Sequence, residues 1–190
     1  MKGQQQVLST IIISGILIGV VGSVYLWGMP LVQKNEDISI QQNAELFMKS
    51  LNEKIKYIAN QGGRDNIRIN IPGTLKFDGT GLLLAVATEG SIYAIGSPLS
   101  LVRNDYTLAE GVWGVDEPEL LYVESKRVGG QISTTYTLKY IRLKSGTKSY
   151  SIKLSGTPKT SGQNHNIIIE NTGTEKSNGD TNTTISVKIL

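Results

Sequence analysis

The spacing of apolar and polar positions divides the chain into three parts. Residues 7–32 read VLSTIIISGILIGVVGSVYLWGMPLV and carry no charge. As a helix this run reaches roughly 39 Å, enough to cross the hydrocarbon layer of a bilayer. Beyond Pro30 the pattern becomes amphipathic: Ile40, Ala44, Phe47, Leu51, Ile55 and Ile58 recur at three- and four-residue steps on one helical face, which is expected to dock on the domain C-terminal to it. Glu45, Lys49 and Glu53 recur at four-residue steps on another face, and Gln61-Gly62-Gly63 supplies a stop.

From Asn66 the period switches to two. Residues 66–71, 150–154 and 185–189 alternate as half-buried strands do, and Pro72-Gly73, Asp78-Gly79, Gly129-Gly130 and Ser145-Gly146 punctuate the stretch. The continuous apolar runs 82–87 and 167–169 predict strands buried on both faces. Residues 134–143 read as one longer strand, and the polar stretch 171–184 as a mobile loop. The predicted fold is α+β: a long N-terminal helix, apolar in its first half and amphipathic in its second, then an antiparallel β-sandwich or barrel-like head over residues 64–190.

Within the apolar run, Gly15, Gly19 and Ser23 lie four apart on one stripe with Gly22 beside it, a pattern that lets helices approach closely. Tyr25 and Trp27 suit a membrane interface, and Pro30 predicts a kink or local unwinding from Gly28 onward.

Composition narrows the chemistry. The 190 residues suit one anchor and one domain. With no cysteine there is neither a disulfide framework nor a thiolate nucleophile, and the single histidine, His165, reads as a loop residue. The sequence contains no HExxH, P-loop, GxGxxG or serine-triad context, so neither an enzyme nor a cofactor nor a metal is expected.

A net charge of +3 is too small to argue for nucleic acid, but the charges fall in blocks. Six acids and no base lie between Asn104 and Ser125; eight bases and no acid lie between Ser125 and Ile169. Three arrangements fit: complementary faces on neighbouring copies, a basic face (Lys139, Arg142, Lys144, Lys148, Lys153) for an anionic surface or polymer, or charge pairing inside one head. Trp113 reads as half-buried, and Asn182-Thr183-Thr184 is a glycosylation sequon at Asn182.

The N-terminus has three readings. The run is too long for a secretory signal peptide, whose apolar core is shorter. A signal anchor fits: Lys2 precedes the run and Glu36 and Asp37 come after Lys34, which favours the N-terminus inside and the head outside. Third, Lys2-Gly3 followed by Gln4-Gln5-Gln6, directly ahead of an apolar helix, resembles the class III leader of archaeal type IV pilins. That resemblance covers about the first 60 residues. It implies a leader of residues 1–3, cut between Gly3 and Gln4 by a prepilin peptidase, with the helix of residues 4–61 retained. Bacterial pilins carry a glutamate near the start of the mature helix; the corresponding position here is close to Leu8, which points to the archaeal branch.

The resemblance implies a structural subunit of a surface filament, a homo-oligomer held in the membrane before assembly and used for adhesion or surface attachment. A minor pilin or archaellin-like subunit belongs to the same class. The alternative from another class is a monomeric membrane-anchored β-domain that binds a surface polymer or partner.

Overall fold

The computed structural model describes residues 9–190 in full. Helix α1 (Lys2–Gln61) is one continuous element of 60 residues. It ends where expected: the N–H of Gly62, at φ 78°, donates to the Ile58 carbonyl at 2.8 Å. It also runs unbroken through Pro30, so the unwinding expected from Gly28 onward is not present. One missing i→i−4 bond is outweighed by the intact ladder on either side.

Twelve strands make up the rest. They are β1 (Arg64–Arg68), β2 (Thr74–Phe77), β3 (Leu82–Thr88), β4 (Leu99–Ser100), β5 (Glu110–Val112), β6 (Glu119–Val128), β7 (Gln131–Tyr140), β8 (Arg142–Ser145), β9 (Lys148–Ser155), β10 (Lys159–Ser161), β11 (Asn166–Ser177) and β12 (Asp180–Ile189). They form two six-stranded sheets, β1-β11-β12-β9-β8-β5 and β10-β2-β3-β7-β6-β4. Pairing is antiparallel except for β9·β12 and β5·β8, which run parallel. The fold is α+β.

The C-terminal half of α1 packs against β3, β6 and β7 of one sheet and β1, β11 and β12 of the other. A single core therefore unites Ala44, Met48, Leu51 and Ile55 of the helix with Phe77, Leu84, Tyr136 and Leu138 of one sheet and Ile169, Ile185 and Val187 of the other. Ala44, Leu51, Ile55 and Ile58 are buried, whereas Ile40 and Phe47 are half-buried at its margin. The buried stripe is continued towards the N-terminus by polar side chains, Asp37 and Gln41.

Three strand expectations are corrected. Along β3, Leu82, Leu84 and Val86 are buried while Leu83 and Ala85 are half-buried and Ala87 is exposed, because the outer face of that sheet is only partly covered. The stretch 134–143 is two strands: the chain leaves one sheet after Tyr140 and enters the other at Arg142, with the Ile141 N–H held by the Pro118 carbonyl at 2.8 Å. Residues 171–184 are no loop but the outer arm of the β11–β12 hairpin, with Ser177 paired to Asp180 across a two-residue turn.

That turn is Asn178-Gly179, both at positive φ (48° and 89°), the geometry whose twist matches two antiparallel strands. A Cβ at Gly179 would lie 2.8 Å from the Thr147 carbonyl oxygen. Gly179→Val is expected to cost about 1–3 kcal/mol through backbone strain alone, before that collision is counted. Chemical denaturation of variant and parent, compared at equal slope, checks it.

Candidate functional site: the protruding helix and its collar

Between Ser9 and Leu31 every side chain of α1 is exposed apart from Gly28, which is half-exposed. Ile16 is 60%, Leu26 74% and Trp27 82% accessible. By length and composition this part of the helix is long and apolar enough to cross a membrane, a property that signal sequences share. Gly15, Gly19 and Gly22 have nothing within 4 Å of where a Cβ would stand, so the small-residue stripe is an open groove in the single chain. Ser23 Oγ turns back on the helix and donates to the Gly19 carbonyl at 2.7 Å. Lys2, Gly3 and Gln4, where leader processing is expected, lie outside the residues whose side chains are described.

The head grips the helix just past this rod. Asp37 is buried, and its Oδ2 accepts the Gly90 N–H at 2.7 Å while Oδ1 accepts from Gln33 Nε2 at 3.3 Å. Gln41, fully buried, donates from Nε2 to Thr88 Oγ1 (2.9 Å) and to the Gly90 carbonyl (2.7 Å), and its Oε1 accepts the Ile92 N–H (2.9 Å). The loop after β3 thus forms a half-collar on one face of this turn of the helix, while Asn35, Ser39 and Gln42 on the other side stay exposed. Beside it a cleft of about 570 Å³ opens between Pro30, Lys34 and Ile38 of the helix and residues 89–92.

Further along, tyrosines tie the helix to the sheet. Tyr136 OH donates to the Gln41 carbonyl (2.7 Å), and burial pushes this phenol up to about 12. Tyr93 meets the Tyr136 ring edge-on at 6.0 Å and donates to Glu45 Oε2 at 2.6 Å; burial and that carboxylate raise its phenol well above the usual range. Glu45 itself is pushed up by burial, but hydrogen bonds from Lys49 Nζ and Tyr93 OH outweigh this and hold its carboxyl below the ordinary value.

A depressed folded pKa contributes stability that is complete above the unfolded carboxylate value and is lost as pH falls through the folded one. Glu45→Gln is therefore expected to lower the urea midpoint at about pH 7 and to flatten its fall towards about pH 3. Parallel titrations of the two proteins read this directly.

A second polar node is buried deeper. Glu119 is 3% exposed; its Oε1 accepts from Asn52 Nδ2 (3.0 Å) and Lys56 Nζ (2.9 Å), while Oε2 has no hydrogen-bond partner among the described residues. Tyr140 OH donates to Asn52 Oδ1 at 2.8 Å. Burial works to lower the Lys56 ammonium, but its bonds to Glu119 and Glu53 raise it overall.

The proposed basic face is not one face. Lys139 lies on β7, in the opposite sheet from Arg142, Lys144, Lys148 and Lys153. Arg142 pairs with Asp180 at 2.7 Å and Lys144 with Glu110 at 2.6 Å, leaving Lys148 and Lys153 as the exposed cations of the set without an ion pair among the described residues. The within-head arrangement therefore holds for two of the set: Glu110, on the neighbouring strand β5, pairs with Lys144, and Asp180 of β12 pairs with Arg142, whereas Lys148 and Lys153 stand opposite Ser145 and Thr184. Asn182 sits half-buried in the interior strand β12, its Oδ1 accepting from Ser151 Oγ at 2.6 Å. Trp113 is 42% exposed, with its ring tilted against Tyr150 at 5.9 Å.

Asp37 and Gln41 escaped sequence reasoning because a polar residue on an apolar stripe looks like a gap in it. Their signal was position: residues 37, 41, 44, 48 and 51 keep the helical spacing when the polar members are counted. Compared with family models, with curated proteins and with solved structures, the chain matches none of them.

Proposed function

We propose that the chain is the structural subunit of a pilin-like surface filament, held in the membrane by its apolar helix before assembly and packed through the same helix afterwards. The observation that carries this reading is the bare rod: from Ser9 to Leu31 the helix offers apolar surface that its own head does not cover. A patch far larger than the few hundred Å² a soluble monomer exposes demands lipid or other helices around it. The open glycine stripe supports the second partner, because small residues let two backbones approach. The Lys2-Gly3-Gln4 leader pattern supports processing by a prepilin peptidase, and a head directed outward suits adhesion or attachment.

Mass spectrometry of the mature N-terminus tests processing: a start at Gln4 supports the reading, and retained Met1 or a start near Ser23 defeats it. Assembly is tested on the stripe. Gly19→Leu leaves the helix apolar and should insert in the membrane like the parent, yet it fills the groove. Electron microscopy of sheared surface material is expected to show filaments for the parent and few or none for the variant. Filaments of normal length from Gly19→Leu would remove the stripe from the assembly contact, and a parent that yields no filaments would leave a monomeric anchored β-domain as the better description.

A further inference from the structure

We infer that the head is seated on the lipid surface through the turn of the β6–β7 hairpin and the loop after β3. The inference rests on reading the apolar helix as a membrane span, and it applies to the subunit before assembly.

Its basis is the rigidity and register of the collar. Only about 8 Å of helix separates Val32, where the apolar run ends, from Asp37, the first residue the head holds. No Gly or other breaker lies between them, and α1 is continuous there. The head has no linker with which to stand away from the bilayer.

The strand register then says which part of it comes nearest. Tyr136 bonds to Gln41 and Tyr140 to Asn52, so descending β7 means descending α1. Ile132 pairs with Thr88, whose hydroxyl is held by Gln41, and Gly90 is held by Asp37; this end of the sheet is level with residues 37–41. The Gly129-Gly130 turn lies two to three residues further down, about 7–10 Å. That distance is the rise of roughly five or six helical residues, which brings the turn level with the end of the apolar run.

The chemistry at this end suits an interface. Val128 at the tip is 62% exposed, and Ile92 and Ile95, tied to the same place through Gln41 and Ser125, are 43% and 49% exposed. Arg127 is exposed beside Val128. Glu36, Glu89 and Glu124 also lie at this end, with Glu124 paired to Lys126 at 2.8 Å, so the surface is mixed in charge and neutral lipid suffices. Apolar tips among polar neighbours are what a headgroup layer accommodates.

The absence of cysteine allows a clean test. Single-cysteine variants Val128→Cys, Trp27→Cys and Glu175→Cys of the full chain are spin-labelled and reconstituted at low density in phosphatidylcholine vesicles doped with a nickel-chelating lipid. Glu175 is the far control, because β11 passes the end of α1 at Asn171, whose amide donates to the Ile58 carbonyl. The label at 128 is expected to relax several-fold faster than the label at 175, independently of protein density. Equal relaxation at 128 and 175, with the label at 27 shielded from water, overturns the seat while leaving the span intact. Acceleration that grows with protein density assigns the tip to a second copy and overturns it too. A water-exposed label at 27 sinks the span and the seat together.

Discussion

Ile55→Asp is expected to abolish the tertiary structure of the head, while Ile55→Ala leaves it folded but weakened. Ile55 is fully buried on the stripe of α1 that joins the two sheets, among side chains from both. An unpaired carboxylate there carries a desolvation cost of several kcal/mol, comparable with the roughly 5–15 kcal/mol that holds an ordinary domain together. The alanine variant loses the transfer energy of the removed carbons and leaves a cavity, about 2–5 kcal/mol, or roughly 4–20 °C in Tm. Near-ultraviolet circular dichroism separates the two: signal lost for aspartate, retained with a lower midpoint for alanine. A folded aspartate variant would mean that the sheets close without the helix. The same pair probes assembly, since a head that has released α1 can no longer hold it at the collar.

How far the fold was legible in the sequence depended on whether burial was paid for in carbon. The rod and the stripe of α1 were legible because their apolar residues recur at helical spacing over dozens of positions. The β11–β12 arm was not, because the outer half of β11 is exposed on both faces and the outer half of β12 is partly covered but carries polar side chains, Thr183 among them, so neither shows apolar alternation. Its signal was the Asn178-Gly179 pair, which specifies a hairpin whatever flanks it. The sheet change at Ile141 was hidden for another reason. The buried apolar positions are even-numbered along β7, Ile132, Tyr136 and Leu138, and odd-numbered at Ile141 and Leu143, and one shifted residue in an apolar-polar string looks like noise. The basic block failed as a face because neighbours in sequence were distributed over two sheets. At the candidate site, the apolar surface was legible, whereas the collar that fixes its direction is built from Asp37, Gln41 and backbone groups, which no hydrophobic pattern reports.

The largest effect from a single polar change is expected at Lys56. Its ammonium is the only cation on Glu119 among the described residues, and Glu119 is almost fully enclosed with one oxygen already lacking a partner. Lys56→Met keeps much of the packing of the stem but leaves that carboxylate with Asn52 alone, at an expected cost of about 3–5 kcal/mol. Glu119→Gln in the same chain removes the stranded charge, can still accept from Asn52, and is expected to recover a large part of the loss. A double-mutant cycle by urea denaturation therefore has a definite sign: the double variant is more stable than Lys56→Met alone. The pH dependence has a sign as well. Because the Lys56 ammonium is held above its ordinary value, its contribution is whole below the unfolded lysine value and fades as pH rises through the folded one. The parent should lose this increment in strong alkali, and the methionine variant, with nothing at position 56 to titrate, should not. If Lys56→Met matches the parent at neutral pH, the pair contributes no net stability, and Glu119 is held in place by Asn52, whose own amide oxygen is held by Tyr140.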